Sequence, residues 1–191
     1  LRRRLTGVPR RRPRGSGNSN ASGRSTTAMA RANLFPDFKE FLKSLNSARV
    51  KYLLVGGYAV IHYGYRRTTD DLDIWIAVDP ANARRVSRVL QEFFGFPAEK
   101  VPETMFRERG KIFMIGREPS RIDLLTAPSG IEFAACYRRR QRVIWDGIRV
   151  PLLSLEDLRK NKASSGRPKD LADLDNLPKA ATNRRPRKKR R

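Results

Sequence analysis

Apolar residues recur between positions 35 and 177 at spacings that predict alternating helices and strands. From Phe35 to Leu45 they are spaced by three and four residues, which predicts an amphipathic helix. The apolar run 51–55 predicts a strand, and Gly56-Gly57 follows it directly. Residues 58–63 then predict a short helix. The domain therefore opens as helix, strand, glycine turn and helix.

The same patterns continue to the C-terminal part of the chain. They predict strands at 72–78, 111–115, 121–125, 142–145 and 148–150, and helices at 81–94, 131–135, 155–163 and 169–177. We expect 111–115 and 121–125 to form one hairpin, and the Asp146-Gly147 turn to close another. These elements predict an α/β (α+β) domain over 33–177, a mixed β-sheet with flanking helices and a short C-terminal helical segment.

Charge is concentrated at the two ends of the chain. Of the 191 residues, 42 are Lys or Arg and 19 are Asp or Glu, for a net charge of +23. Residues 1–28 hold eight arginines and no acid, and 178–191 hold eight basic residues and no acid. We expect 1–28 to be a disordered basic extension, with the natural start at Met29, and 178–191 to be a disordered basic tail. The alternative is a pair of tails that bind nucleic acid by charge alone.

Several classes of protein are excluded by what the sequence lacks. No apolar run approaches the roughly 18 residues of a membrane-spanning helix, so we expect no membrane partner. Residues 1–25 carry no apolar core of a signal peptide. A single cysteine, Cys136, excludes an internal disulfide, and a single histidine, His62, leaves multi-histidine metal sites without ligands. We therefore expect a cytoplasmic protein.

Three aspartates carry the most informative pattern. Asp71 and Asp73 are two residues apart in a predicted strand, so both side chains face the same side. Asp123 lies within an apolar run, where an unpaired carboxylate is costly to bury. If the two strands are neighbours, the three carboxylates converge, and Mg²⁺ or Mn²⁺ is the usual partner of such a cluster. Two such ions can bridge the phosphates of a nucleotide.

A plainer interpretation stays open for each of these features. Asp70 and Asp71 can cap a turn while Asp73 pairs with Arg67 at the surface. Gly56-Gly57 can offer backbone amides and a helix end to a phosphate, or can simply close a turn.

The segment from Val55 to Asp73 resembles the nucleotidyltransferase superfamily with the polymerase-beta-like core. The matching features are Val55-Gly56-Gly57-Tyr58-Ala59, then Arg67-x-Thr69-x-Asp71-Leu72-Asp73, and a third aspartate, Asp123, on a later strand. The closer resemblance is to small bacterial AbiEii-toxin-like proteins and minimal nucleotidyltransferases. It extends to Asn161-Lys162-Ala163 and to the run Gly166–Asp173. Position 57 is glycine where many active members carry serine.

The resemblance implies a nucleotidyltransferase fold and a set of roles. Asp71, Asp73 and Asp123 would bind the metal and, with Lys162, form the catalytic set; Gly56, Gly57, Arg67, Thr69, Lys162 and Asp170 would bind the nucleotide. The alternative for Lys162, Arg167 and Lys169 is an exposed basic cluster at a helix end. For Asp170 and Asp173 it is charge compensation at a helix N-terminus.

The sequence and the resemblance together favour one activity. We expect a Mg²⁺- or Mn²⁺-dependent transfer of a nucleoside monophosphate from an NTP to a hydroxyl acceptor, which is an RNA end, a protein or a small molecule. A toxin role opposite an antitoxin partner is implied by the resemblance alone. The basic run 137–142 favours RNA, although a solvated helix end explains it equally well. The alternative function is a non-catalytic nucleotide- or nucleic-acid-binding protein that retains the fold.

Overall fold

Seven strands of one mixed sheet and six α-helices make up the part of the chain that the computed structural model describes, residues 2–5 and 34–179. The strands are β1 (Arg2–Leu5), β2 (Tyr52–Leu54), β3 (Asp71–Ile76), β4 (Ile112–Ile115), β5 (Arg121–Leu125), β6 (Gln141–Trp145) and β7 (Ile148–Leu152). The helices are α1 (Pro36–Ser47), α2 (Gly56–His62), α3 (Pro80–Phe94), α4 (Phe133–Arg139), α5 (Leu155–Ser165) and α6 (Pro168–Asn176), with a 3₁₀ helix at Glu103–Arg107. The mixed α/β prediction is confirmed.

The strand order is β1-β4-β5-β3-β2-β7-β6. β3 is parallel to β5 and antiparallel to β2, and β4 and β5 form the predicted hairpin. Because of these directions, the start of β3, the start of β5 and the end of β2 lie next to one another, at the same end of the strands. The residues that begin or follow those strands are the ones that resemble a nucleotidyltransferase motif.

The helix α3 begins and ends at capping residues. Asp79 accepts a hydrogen bond from the backbone of Asn82 at the start of α3, and Gly95 ends that helix in the left-handed conformation. α1 packs its buried phenylalanines against α2 and α3, as in the edge-to-face contact of Phe38 with Tyr58.

None of the helices in the described ranges is both long enough and apolar enough to cross a bilayer.

α5 is held in place at its N-terminus by a buried carboxylate. Ser154 caps the helix by accepting from the backbone N–H of Asp157, as its position predicted. The Asp157 carboxylate in turn accepts from Ser154 Oγ at 2.7 Å and pairs with Arg139 of α4 at 2.6 Å. Burial opposes ionisation of Asp157, but these hydrogen bonds hold its pKa below the ordinary value. The anchored helix fixes where Lys162 projects.

β1 differs from the expectation for the N-terminal extension. Residues 1–28 were expected to be disordered, yet Arg2–Leu5 pairs in parallel with β4 and buries Leu5. The sequence does not reveal this strand, because three of its four residues are exposed arginines and only Leu5 is buried. The rest of the extension and most of the C-terminal tail lie outside the described residues.

Candidate active site

Three carboxylates converge at the end of the sheet where the central strands β3 and β5 begin. Asp73 and Asp123 are direct partners in the parallel register, and Asp71 lies two residues before Asp73 on the same face. One oxygen from each of the three lies within 4.8 Å of the others. The two strands are neighbours, which is the condition under which the sequence predicts that Asp71, Asp73 and Asp123 converge.

The convergence has an electrostatic cost that shows in the pKa values. Burial and, after it, the neighbouring charges of Asp71 and Asp123 raise the pKa of Asp73 from 3.8 to about 7. The charge of Lys162 and a backbone hydrogen bond from Gly57 act in the opposite direction. Burial also raises the pKa of Asp123, against hydrogen bonds from Arg121. A divalent cation would relieve this repulsion.

The donor set fits a hard divalent cation. Carboxylate oxygens are the ligands that Mg²⁺ and Mn²⁺ prefer. One oxygen from each of the three aspartates lies within 4.8 Å of the others, close enough for all three to hold one ion. Asp71, Asp73 and Asp123 are the residues that would hold the ion.

Arg121 already contacts two of these carboxylates. Its Nε donates to Asp123 Oδ1 at 2.8 Å, and its Nη2 donates to Asp71 Oδ2 at 2.7 Å and to Asp123 Oδ2 at 3.1 Å. Its Nη1 donates to Glu118 at 2.6 Å. Sequence reasoning missed Arg121, although its position two residues before Asp123 in a strand places it on the same face.

Gly56 packs against Asp73 so closely that no larger residue fits. Its φ is +60°, which disfavours any residue with a Cβ, and a Cβ would lie 1.8 Å from Asp73 Oδ2. The start of α2 is thus pressed directly against the carboxylate cluster. Gly56 and Gly57, predicted to bind the nucleotide, lie beside the metal-binding candidates.

Thr69 fills the space beside Gly57. A Cβ at position 57 would lie 2.2 Å from Thr69 Oγ1, which itself donates to Asp71 Oδ1 at 3.0 Å. This packing explains why position 57 is glycine here rather than serine. Thr69, expected to bind the nucleotide, orients a metal-ligand candidate in this structure.

Lys162 lies in a buried ion-pair network that joins α5 to α6. Its side chain is 5 % exposed, and its Nζ lies 2.5 Å from Asp170 and 2.8 Å from Asp173. Asp173 also forms an ion pair with Arg67, whose Nε lies 2.8 Å from its carboxylate. The alternatives that placed Lys162 in an exposed cluster and paired Arg67 with Asp73 are therefore wrong. Arg167 and Lys169 are exposed, as that alternative expected.

Asp170 is held in its charged form by three donors. Burial opposes its ionisation, but hydrogen bonds from Lys162, Ser165 and Arg167 hold its pKa at about 2. It therefore orients Lys162, in keeping with one of its expected roles. Asp173, which bridges Lys162 and Arg67, has an equally central position that its sequence context did not reveal.

The remaining residues with candidate chemistry are part of the packing. His62 lies beside Tyr63 and Trp145, and burial lowers its pKa, so it is an edge residue of the core. Trp75 is fully buried and donates to the carbonyl of Thr126 at 3.3 Å. Cys136 is buried, as expected.

Comparison with known proteins agrees with this geometry. No curated protein matches the chain significantly. The model of one family, described as "Nucleotidyltransferase of unknown function (DUF6036)", matches residues 32–178. That range contains both glycines, the three converging aspartates and the Lys162 network. The chain therefore belongs to this family of nucleotidyltransferases of unknown function.

Proposed function

We propose that this protein transfers a nucleoside monophosphate from an NTP to a hydroxyl acceptor in a reaction that depends on Mg²⁺ or Mn²⁺. The observation that carries the proposal is the convergence of Asp71, Asp73 and Asp123 within 4.8 Å beside the glycines that open α2. A bound metal would supply charge neutralisation for the triphosphate and the leaving pyrophosphate.

We assign the protein's own residues the following work. Asp71 and Asp73 hold the metal, and Asp123 completes the metal site and accepts the proton of the attacking hydroxyl. The α2 start at Gly56 and Gly57, with Arg67 and Thr69 behind it, positions the triphosphate. Asp170 keeps Lys162 in place.

Lys162 is assigned a charge-balancing role close to Asp73. Its Nζ is already bound by two carboxylates, so direct contact with a phosphate requires one of those ion pairs to open. Its charge lowers the pKa of Asp73, which favours the ionised form that binds metal.

Transfer is tested with the full chain, each α-labelled NTP, Mg²⁺ or Mn²⁺, and total RNA and protein as acceptors. We expect label in one acceptor class with the native protein and at least about a hundredfold less with Asp71→Asn. Asp70→Asn is the matched control, because Asp70 is exposed, adjacent and outside the converging trio. Equal transfer by Asp71→Asn and the native protein would contradict the assignment.

A toxin role is a further part of the proposal, supported by the resemblance of the Val55–Asp73 segment to AbiEii-like proteins. The expected outcome is growth arrest on expression of the native chain, its loss in Asp71→Asn, and its relief by a protein encoded beside the gene. Arrest that persists in Asp71→Asn would separate toxicity from nucleotide transfer.

One observation favours the second candidate, a non-catalytic nucleotide- or nucleic-acid-binding protein. Arg121 forms ion pairs with Asp71 and Asp123, so the protein neutralises part of the acidic cluster with its own side chain. This candidate predicts NTP binding in equilibrium dialysis, no label transfer to any acceptor, and unchanged biological effect in Asp71→Asn.

A further inference from the structure

The Arg121 guanidinium spans the two sides of the acidic cluster. Its Nη2 donates to Asp71 at 2.7 Å and to Asp123 at 3.1 Å, so one nitrogen bridges both carboxylates. Its Nε donates to the other oxygen of Asp123. The fork geometry of arginine suits such a bridge, and each contact is a charge-assisted hydrogen bond.

The bridged oxygens belong to the carboxylates that would bind a metal. Asp71 and Asp123 would hold the ion through these same carboxylate groups. Nη2 already stands between these two carboxylates, and its positive charge would repel a cation placed there. The bridging guanidinium nitrogen and the metal therefore exclude one another.

Arg121 has a further ion-pair partner outside the acidic cluster. Its Nη1 is bound to Glu118, whose side chain is 64 % exposed, at the turn between β4 and β5. The Arg121 side chain is 20 % exposed, between Asp123 at 12 % and Asp71 at 26 %, so it is partly open to solvent. A rotation toward Glu118 breaks the bridge while retaining one ion pair.

We propose that Arg121 is the resident cation of the acidic cluster in the metal-free protein, and that metal binding is an exchange in which the ion replaces the Nη2 bridge between Asp71 and Asp123. The inference rests on the metal site of the proposed function. It makes Arg121 a built-in competitor that weakens the binding of free metal.

The test measures Mn²⁺ binding to the full chain by electron paramagnetic resonance, with no nucleotide present. We expect Arg121→Gln to bind Mn²⁺ at least about tenfold more tightly than the native protein, because both the competitor and its charge are gone. Arg117→Gln is the matched control. Arg117 is exposed, lies in the same turn and makes no ion pair within the described residues, and we expect its variant to stay within about twofold of the native affinity.

A second variant keeps the proposal testable if Arg121→Gln does not fold. Arg121→Lys retains the charge but lacks the two-nitrogen fork, and we expect it to bind Mn²⁺ more tightly than the native protein. Affinity equal to or weaker than native in the folded Arg121 variants overturns the exchange, since Arg121 would then support the metal rather than compete with it.

The outcomes also separate this inference from the proposed function. Mn²⁺ binding that Asp71→Asn abolishes but Arg121→Gln leaves unchanged overturns only the exchange. Absence of Mn²⁺ binding in the native chain and in every Arg121 variant overturns both. Binding that appears only when Arg121 is replaced supports the exchange directly.

Discussion

At the scale of single residues, the site depends on close contacts that leave no room for substitution. Gly56 has a positive φ and touches the carboxylate of Asp73, and Thr69 fills the space beside Gly57. These contacts fix where the start of α2 lies relative to the carboxylates. The contribution of the Gly56 contact to the free energy of unfolding can be measured separately from the cost of a Cβ at a positive φ.

Gly56→Ala tests the contact with Asp73. The variant should lose about 1–2 kcal/mol to backbone strain and at least about 2 kcal/mol more to the displaced carboxylate. Gly166→Ala is the matched control, because Gly166 has a φ of +62° against +60° for Gly56 and open space around it. Urea unfolding should show the larger loss for Gly56→Ala. Equal losses would mean that Asp73 moves aside without cost.

The raised pKa of Asp73 predicts that the free energy of unfolding decreases as the pH rises toward neutrality. Its pKa rises from 3.8 to about 7 on folding, so the metal-free folded protein binds an extra proton in that window. Stability therefore falls as pH rises from about 4 to about 7, by roughly 2–4 kcal/mol from this group. Asp73→Asn should remove that fall in urea unfolding with EDTA between pH 5 and pH 8.

The control for this pH dependence is Asp70→Asn, which leaves the converging carboxylates intact. It should follow the native protein across the same range. The depressed pKa of Asp170 affects stability only below its ordinary value of 3.8, outside the measured window. A native pH dependence that survives in Asp73→Asn would place the titrating group elsewhere.

At the scale of elements, the C-terminal helices are tied to the site by ion pairs as well as by apolar packing. Asp173 of α6 pairs with Lys162 of α5 and with Arg67 of the segment before β3, and its side chain is 1 % exposed. A buried network of this kind is costly to break, because removing one partner leaves the others uncompensated.

Asp173→Asn should therefore destabilise the protein by about 3–5 kcal/mol in urea unfolding. Asp175→Asn makes the same charge change on an exposed position of the same helix, and we expect it within about 0.5 kcal/mol of the native value. Similar losses in both variants would show that the network contributes only general electrostatics.

At the scale of the whole molecule, the sheet has one edge formed by a strand from the start of the chain. β1 covers the backbone of β4 and contributes a buried leucine, Leu5. An uncovered strand edge is a site for pairing between chains.

Deleting residues 1–5 should thus lower stability by about 2–3 kcal/mol and increase self-association. Thermal unfolding and size-exclusion chromatography with light scattering measure the two effects. Deleting 180–191 removes more positive charge but no described strand, and serves as the control. A monomeric, equally stable 1–5 deletion would show that β1 is dispensable.

The sequence predicted the elements well because each is encoded locally. Asp79 and Gly95 bound α3, and Ser154 caps α5, as their residue types require. β1 was missed because its pairing partner lies more than 100 residues away in the chain. Local patterns do not encode such a contact.

The site was predictable where strand geometry alone decides it. Alternation places Asp71 and Asp73 on one face, whereas the position of Asp123 beside them depends on the β3–β5 pairing. The burial of Lys162 was not predictable, because its partners come from a separate helix whose docking is a tertiary event. Strand alternation also places Arg121 on the face of Asp123, but its contact with Asp71 depends on the β3–β5 pairing.

The parallel β3–β5 register has a consequence for how the protein folds. Asp73 and Asp123 meet only after a long loop closes, and loop closure of this length makes parallel pairing slow. A slip of one residue would turn the Asp123 side chain to the opposite face of the sheet. Metal bound by all three carboxylates would therefore recognise only the finished fold, and by mass action would stabilise it over partly folded chains.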